Sequence, residues 1–489
     1  MTEQQMQLPE GWRWKHYGDI AELIRGVSYK KTDASSKSFS GLMPILRANN
    51  IGQNLIFDDL VYVPKKLVKS SQQILENDII VAMSSGSKHL VGKAAQANAD
   101  LSMGFGAFCA NLRVNKSEQI DARYVFYFYS SKENINRISS SSSGSNINNL
   151  KREHILNAPI PIAPIQQQKQ IVAKIEELFS HIDAGVESLK VAKEKLKQYR
   201  QSVLKAAVTG ELTKDWRQAN QHKIEPADQL LQRILTERRQ RWEQQQLDQF
   251  VAKGQIPKND KWKEKYKAPC SPNLDGLNKL PKEWQWATFE QVGERVTVGH
   301  VGSMKNEYVE KGIPFLRSQN VRENRFDPKG LMYISEEFHS RLQKSVLEPG
   351  DLVTVRSGSV GVTCVIPDSL QVANCSDLII VKQPKGVVQQ FASFYMNTIT
   401  QTKVAAQKVG VALTHFNTKS MAEMALPLPP MEEQKEIVRI VEEKLTAADR
   451  LMTEIDTKLT QAQQQKQTIL TSAFKGELVN ATQYFCCKI

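Results

Sequence analysis

The chain has 489 residues, enough for about three domains at the usual ~150 residues each, and its 40% hydrophobic and 24% charged content excludes a fibrous or wholly disordered chain. Its 65 Lys and Arg against 52 Asp and Glu give a formal charge of +13, which favours a polyanionic partner, nucleic acid above all. No apolar run reaches the ~18 residues of a membrane span, and the polar opening MTEQQMQLPEG has no apolar signal-peptide core.

Residues 8–158 read as a first strand-rich module. Short β-branched runs at 61–63, 78–83 and 110–114 are separated by turn residues such as Gly52, Asn77-Asp78 and Gly104. YVFYFYSS at 124–131 reads as a buried helix or strand. Residues 159–213 open on a proline strip, PIPIAP; proline fixes φ and lacks an N–H, so the strip is extended and stops the preceding structure. A proline-free helix follows from about Gln166 to Val208. Along it Ile171, Ile175, Leu178, Ile182, Leu189, Ala192, Leu196, Tyr199, Val203 and Ala206 step by four and three. That is a heptad seam, with Gly185 a gap in the apolar run. At 1.5 Å per residue such a helix is roughly 65 Å long, nearly two turns of duplex DNA.

Residues 214–279 form an insertion. A helix over 226–250 has Leu230, Ile234 and Trp242 as inner positions, and a polar Pro/Lys linker follows at 254–273. The insertion is expected to let the chain reach a second module; partner docking is its alternative role. That module, residues 280–424, repeats the β-branched pattern at 351–355 and 377–381, with FASFYMNT at 391–398. Residues 425–479 bring the strip LPLPP and a helix over about 432–472. Its seam is Ile437, Val441, Ala448, Leu451, Ile455, Ala462 and Ile469, interrupted by Lys444, Lys458 and Gln465. Gly210 and Gly476 end the two helices.

The chain is therefore written twice. LPEGWRW at 8–14 returns as LPKEWQW at 280–286, MPILRANNI at 43–51 as IPFLRSQNV at 313–321, and AVTGELT at 207–213 as AFKGELV at 473–479. A long polar-faced helix is not stable alone. The fold expected is thus α+β, with two globular domains at opposite ends of an antiparallel coiled coil, related by a pseudo-two-fold axis.

No phosphate-cradling loop, HExxH, GxSxG or kinase signature is present, and Gly92-Lys93 and Pro367-Asp368 lack the rest of their motifs. Catalytic residues are therefore expected to be none. Cys109, Cys270, Cys364, Cys375, Cys486 and Cys487 are scattered without zinc spacing, so no metal site or disulfide framework is expected, and reduced cytoplasmic thiols are. What recurs is polar loop chemistry. Arg47, Asn49 and Asn50 align with Arg317, Gln319 and Asn320; arginine reads guanine and Asn or Gln reads adenine, although Asn-rich stretches equally make turns. Ser84, Ser85, Ser87 and Lys88 align with Arg356, Ser357 and Ser359, a flexible loop suited to phosphate or a base edge. Asn146, Asn148, Asn149 and Lys151 stand opposite Thr414, His415, Asn417 and Lys419, polar in both halves but different in identity. Trp12, Trp14, Trp284 and Trp286 read as strand anchors and His181 as an ordinary helix residue.

The repeated LPxxWxW openings, the PLPPxxEQKxIV helix start at 427–438 with its looser partner at 161–172, and the AxxGEL endings resemble the specificity subunit of type I restriction–modification enzymes. The first module, with LIRGVSYKK, ILRANNI and IIVAMSSGSK, resembles the enterobacterial K-type branch most. The resemblance implies that each module is a target recognition domain reading one half of a bipartite, asymmetric DNA site. It implies that the helices set the spacing and dock two methyltransferase subunits, with restriction subunits joining the assembly. It further implies that this cytoplasmic, prokaryotic chain binds no cofactor itself, while its partners use S-adenosylmethionine, ATP and Mg. One departure is IAPIQQQK, which lacks the family's acidic residue at the helix start and is expected to weaken one docking contact. The rival reading is a coiled-coil adaptor that holds nucleic acid without specificity.

Overall fold

The computed structural model describes residues 8–85, 90–140, 149–222, 224–407 and 416–480. The chain divides into two compact units, Met1–Val191 with Glu454–Ile489, and Ala192–Thr453. Neither is a contiguous half of the sequence. Each holds one strand-rich module, the first part of one long helix or the last, and the complementary part of the other.

In the first unit an antiparallel sheet runs in the order Ala21–Arg25, Cys109–Val114, Ile79–Ala82, Ala94–Gln96. A smaller sheet places Leu42–Leu46 between Val61–Pro64 and Gly104–Phe105, the latter pairing parallel. The two sheets approach so closely that a Cβ on Gly26 would lie 2.1 Å from the Gly106 carbonyl oxygen. YVFYFYSS is helical: Ala122–Tyr129 is capped by the Asp121 carboxylate, which accepts from Tyr124 N at 3.0 Å. Its buried face packs Tyr124, Val125, Phe128 and Tyr129 into the core. Burial holds the Tyr17 hydroxyl well above its ordinary pKa and pushes that of Tyr127 up to about 12, so these rings are neutral core elements.

The second unit repeats this plan. Its main sheet runs Arg295–Val298, Leu378–Lys382, Leu352–Val355, Thr363–Val365, and its smaller sheet centres on Ile313–Leu316. A buried ion pair recurs at one strand edge. Arg113 grips Asp78 through two bonds of 2.7 and 2.6 Å, while Lys382 reaches Asp351 at 2.6 Å. Burial raises the Asp351 carboxyl above its usual range, against the pull of Lys382 and two backbone N–H donors.

The proline strips are strands. Pro159–Ile162 pairs antiparallel with Arg13–His16, and Ala425–Leu428 with Gln285–Thr288, setting Trp14 opposite Pro161 and Trp286 opposite Pro427. A two-stranded ribbon leaves one edge free, where a missing proline N–H costs no ladder bond. Each ribbon ties the opening of its module to its end.

The long helices are Ile165–Thr209 and Met431–Phe474. In the first unit Asp183 meets Lys466 at 2.6 Å, and in the second Arg200 meets Asp449. From Asp183 to Arg200 is 17 residues forward and from Lys466 to Asp449 is 17 back, so both units use one antiparallel register. The seam departs from the heptad. Ile171, Ile175, Leu178, Ile182, Val186, Leu189, Lys193, Leu196, Arg200, Val203 and Ala207 are all shielded, ten steps over the 36 residues from 171 to 207. The spacing averages 3.6, because one extra step of four interrupts the strict 3.5 of the heptad. The partner seam, from Ile437 through Val441, Ala448, Met452, Ile455, Leu459 and Ile469 to Ala473, drifts in the same way. Two expected packing residues therefore face solvent, Tyr199 at 43% and Leu451 at 51% exposure. Lys458 and Gln465, expected to interrupt the seam, also lie outside it.

The insertion is not a free linker. Helix Ala227–Ala252 buries Leu230, Leu231 and Ile234 in the second unit's core, and Arg238 donates to the Gly293 carbonyl. Beyond it, Asp260–Lys265 forms a 3-10 turn that stacks Trp262 on Trp242 at 6.1 Å. Aromatic contacts overrode the loop composition.

The motifs that close each half meet at a joint. In the second unit Gly210, at φ +81°, lies against Pro281, and a Cβ there would come 2.5 Å from the ring. Beside it Glu433 is fully buried. Its carboxylate accepts from Trp284 Nε1 at 2.9 Å, Thr213 Oγ1 at 2.7 Å and Arg217 Nε at 2.9 Å. Arg217 also lies 5.6 Å over the Trp284 ring. In the first unit Gly476 lies against Pro9, and Trp12 Nε1 donates to Gln167 Oε1 at 2.9 Å. The acidic residue of the helix start is thus an internal clamp, and Gln167 takes its place in the first unit. The glutamine that follows is used alike in both units: Gln168 accepts from Asp121 N at 2.9 Å, and Gln434 from Val388 N at 2.7 Å.

Candidate nucleic-acid interface

The first expected loop is a 3-10 turn in both modules, Ala48–Asn50 and Ser318–Asn320. Asn50 Oδ1 accepts from Arg47 N at 2.9 Å and its Nδ2 donates to Asp58 O at 2.7 Å. Asn320 Oδ1 accepts from Arg317 N at 3.0 Å, and its Nδ2 donates to Asp327 O at 3.0 Å. Both asparagines are buried, so they build the loop and do not read bases; the Asx-turn reading applies. Arg47 Nη2 binds the Asp59 carboxylate and carbonyl at 2.7 Å each, and Arg317 Nη2 donates to Gly330 O at 2.9 Å. These arginines are half-buried braces. Asn49 and Gln319 remain exposed at the loop surface, Gln319 with its Nε2 bonded to Gly330 O at 3.1 Å.

A short bridging segment joins this loop to the next. In the first module Gly106 N donates to Leu46 O at 2.8 Å, while Phe108 O accepts from Met83 N and Ser84 N at 2.9 and 3.2 Å. Ser84 in turn bridges Asn149, and Leu150 N donates to Met83 O at 2.8 Å. The Arg47–Asn50 turn, the Ser84-Ser85 loop and the Asn149–Lys151 segment thus converge at one end of the sheet. Ser87, Lys88, Asn146 and Asn148 lie outside the described residues. Phe108, 68% exposed between these loops, has no counterpart in the sequence expectations. Its signal was its place immediately before the strand, where the other half has Asp377.

In the second module Ser376 N donates to Leu316 O at 3.0 Å, beside Arg317. Asp377, at φ +50°, holds Ser357 Oγ at 3.0 Å and Arg356 Nε at 3.4 Å on its two carboxylate oxygens. Ser359 is exposed close by in sequence, and Thr414 and His415 lie outside the described residues. Lys419 is not brought to this end. Asn417 caps helix Thr418–Ala422 by accepting from Ser420 N at 2.9 Å. Lys419 pairs with Glu423 at 3.8 Å and lines a cavity of about 410 Å³ with Arg295. Arg295 pairs with Lys382, whereas Val355, which precedes Arg356, pairs with Leu378, so the two sites lie at opposite ends of the central strand. The polar cluster that recurs in sequence is in this part a helix cap.

Each module therefore offers, among the described residues, a set of exposed polar groups on braced loops. Among the described residues no group of three or more His, Cys, Asp or Glu could hold a metal ion. Burial pushes the Cys109 and Cys364 thiols up to about 12. No helix among the described residues is long and apolar enough to cross a membrane.

A duplicated module whose loops share a scaffold and differ in their exposed groups suits recognition of a heterogeneous polymer. Residues 9–191 and 281–461 both match the type I restriction modification DNA specificity domain, and the chain belongs to that family of specificity subunits. It is 32% identical to the EcoKI specificity subunit of Escherichia coli K12, over 96% of this chain and 90% of that protein. It is 31% identical to the StySPI specificity subunit of Salmonella potsdam, over the same shares. A chain from a structural study of assembly and conformational transition in the type I R-M system superposes with a TM-score of 0.65, 16% identity, and coverage of 96% of this chain and 99% of that one.

Proposed function

We propose that this chain is the non-catalytic DNA-reading subunit of a type I restriction–modification complex, each module reading one half of a bipartite, asymmetric duplex site. The observation that carries this reading is the paired loop end. Two equivalent scaffolds present Asn49, Ser84 and Phe108 in one module and Gln319, Arg356 and Ser357 in the other. Equal scaffolds with unequal contact groups are what two different half-sites demand. Ser85, Asn149, Lys151 and Ser359 are further contact groups in this proposal. Two methyltransferase subunits and the restriction subunits dock on the chain, in the cytoplasm. S-adenosylmethionine, ATP and Mg belong to those partners, and this chain carries no cofactor.

The test is adenine-methylation mapping of host DNA with and without the gene. A bipartite methylated motif that disappears on deletion is the expected result. Turnover of DNA by the purified chain alone, with Mg and S-adenosylmethionine, overturns the non-catalytic assignment.

A further inference from the structure

The distal part of the insertion contributes nothing to the described cores of the modules. Residues 253–267, KGQIPKNDKWKEKYK, carry six lysines against two acidic residues. Lys263 pairs with Asp260 at 3.3 Å. Lys253, Lys258, Lys261, Lys265 and Lys267 form no ion pair among the described residues, and neither does Arg241 on the helix alongside. On the preceding helix two arginines are matched: Arg233 binds Glu225 at 2.8 Å and Arg239 binds Glu243 at 3.0 Å.

A lysine-rich stretch is ordinarily a solvated, mobile linker. This one is pinned. Trp262 stacks on Trp242 and meets Phe250 edge-on at 6.1 Å, while Tyr266 lies 5.3 Å from Trp242. Asn259 caps the turn by accepting from Lys261 N at 3.1 Å. Four aromatic rings thus hold this segment, with its exposed unmatched lysines, on the helix. Like charges concentrated on one short segment repel one another, and a counter-anion relieves that repulsion. The anion must be extended and repeating to meet lysines at 258, 261, 265 and 267, and compact ammonium groups suit phosphate as point charges without base selectivity.

We propose that the distal insertion, residues 241–267, is a sequence-independent grip on the DNA phosphate backbone, separate from the base-reading loops. The proposal rests on the DNA-reading assignment above. It gives the subunit a hold on duplex outside its half-sites, of the kind that sets nonspecific affinity and salt dependence.

The test is salt-dependent binding of the full-length chain, assembled with its methyltransferase subunits, to specific and to random duplex. A variant with Lys258→Gln, Lys261→Gln, Lys265→Gln and Lys267→Gln is compared with the parent and with the corresponding four Lys→Arg changes. The slope of log K against log salt is expected to become shallower by about 0.9 for each lysine that touches a phosphate. Affinity for both duplexes falls by the same factor, the methylated motif is unchanged, and the arginine set restores the slope. An unchanged slope with intact specific binding overturns the grip and leaves the DNA-reading assignment standing. Loss of methyltransferase association without a change in slope also overturns it and gives the patch to a protein partner. If the parent assembly shows no preference for any duplex, the DNA-reading assignment itself fails.

Discussion

The two joints solve one geometric problem with different chemistry. Both clamp the first tryptophan of a module onto the start of a long helix, and both seat a glycine against a proline. In the first unit the acceptor is an exposed neutral amide, Gln167; in the second it is a buried carboxylate, Glu433, matched by Arg217. The segment from Thr213 to Arg217 covers Glu433 and supplies the hydroxyl and guanidinium that a buried charge requires. Where nothing covers the acceptor among the described residues, a neutral group suffices. The lesson is that a position in a repeat keeps its geometric task while burial decides its charge.

That contrast can be broken most forcefully at Arg217. Arg217→Ala leaves Glu433 buried with its charge uncompensated, and a loss of about 3–5 kcal/mol is expected in denaturant unfolding of the second unit. A loss below ~1 kcal/mol would show that Glu433 is not desolvated as described. Reciprocal exchange sharpens the comparison. Glu433→Gln strands the Arg217 guanidinium and is expected to cost about as much, whereas Gln167→Glu, at an exposed site, is expected to change stability by less than ~1 kcal/mol. Equal effects from the two exchanges would erase the distinction. Smaller again is the consequence of emptying the turn at Asn50 or Asn320. Either Asn→Ala change is expected to cost about 1–3 kcal/mol by leaving the partner amide and carbonyl unpaired. Asn49→Ala is instead expected to leave melting unchanged and to relax base choice, seen as broadening of the methylated motif. The smallest effect concerns thiols. With Cys109 and Cys364 held near 12, both are protonated at pH 8, and alkylation of either in the native protein at that pH would contradict the burial described.

Much of this was readable in the sequence because it was written twice. The repeated openings, strips and endings located the joints, and the Asn and Ser runs located two of the loops that meet at the sheet end. The helix seam was misplaced because 3.5 and 3.6 residues per step differ by only one residue in ten steps. That slip is enough to put Tyr199 and Leu451 outside and Val186 and Met452 inside. Asn50 and Asn320 were ambiguous because amides that read adenine and amides that close turns are the same groups; burial alone separates them. The pinning of residues 258–266 was not legible, since it arises from contacts between segments rather than from any local pattern.

The ionic joint also bears on how such genes can be inherited in pieces. Arg217 and Thr213 are encoded before the insertion helix, Trp284 and Glu433 after it. A crossover anywhere between codons 218 and 283 leaves Trp12 with Gln167 but takes Arg217 from one parent and Glu433 from the other. Halves can therefore be reshuffled freely only among lineages that agree on this cation and this carboxylate. A recombinant that joins an Arg217 half to a glutamine at 433 would carry two sound recognition modules and a strained hinge between its ancestries.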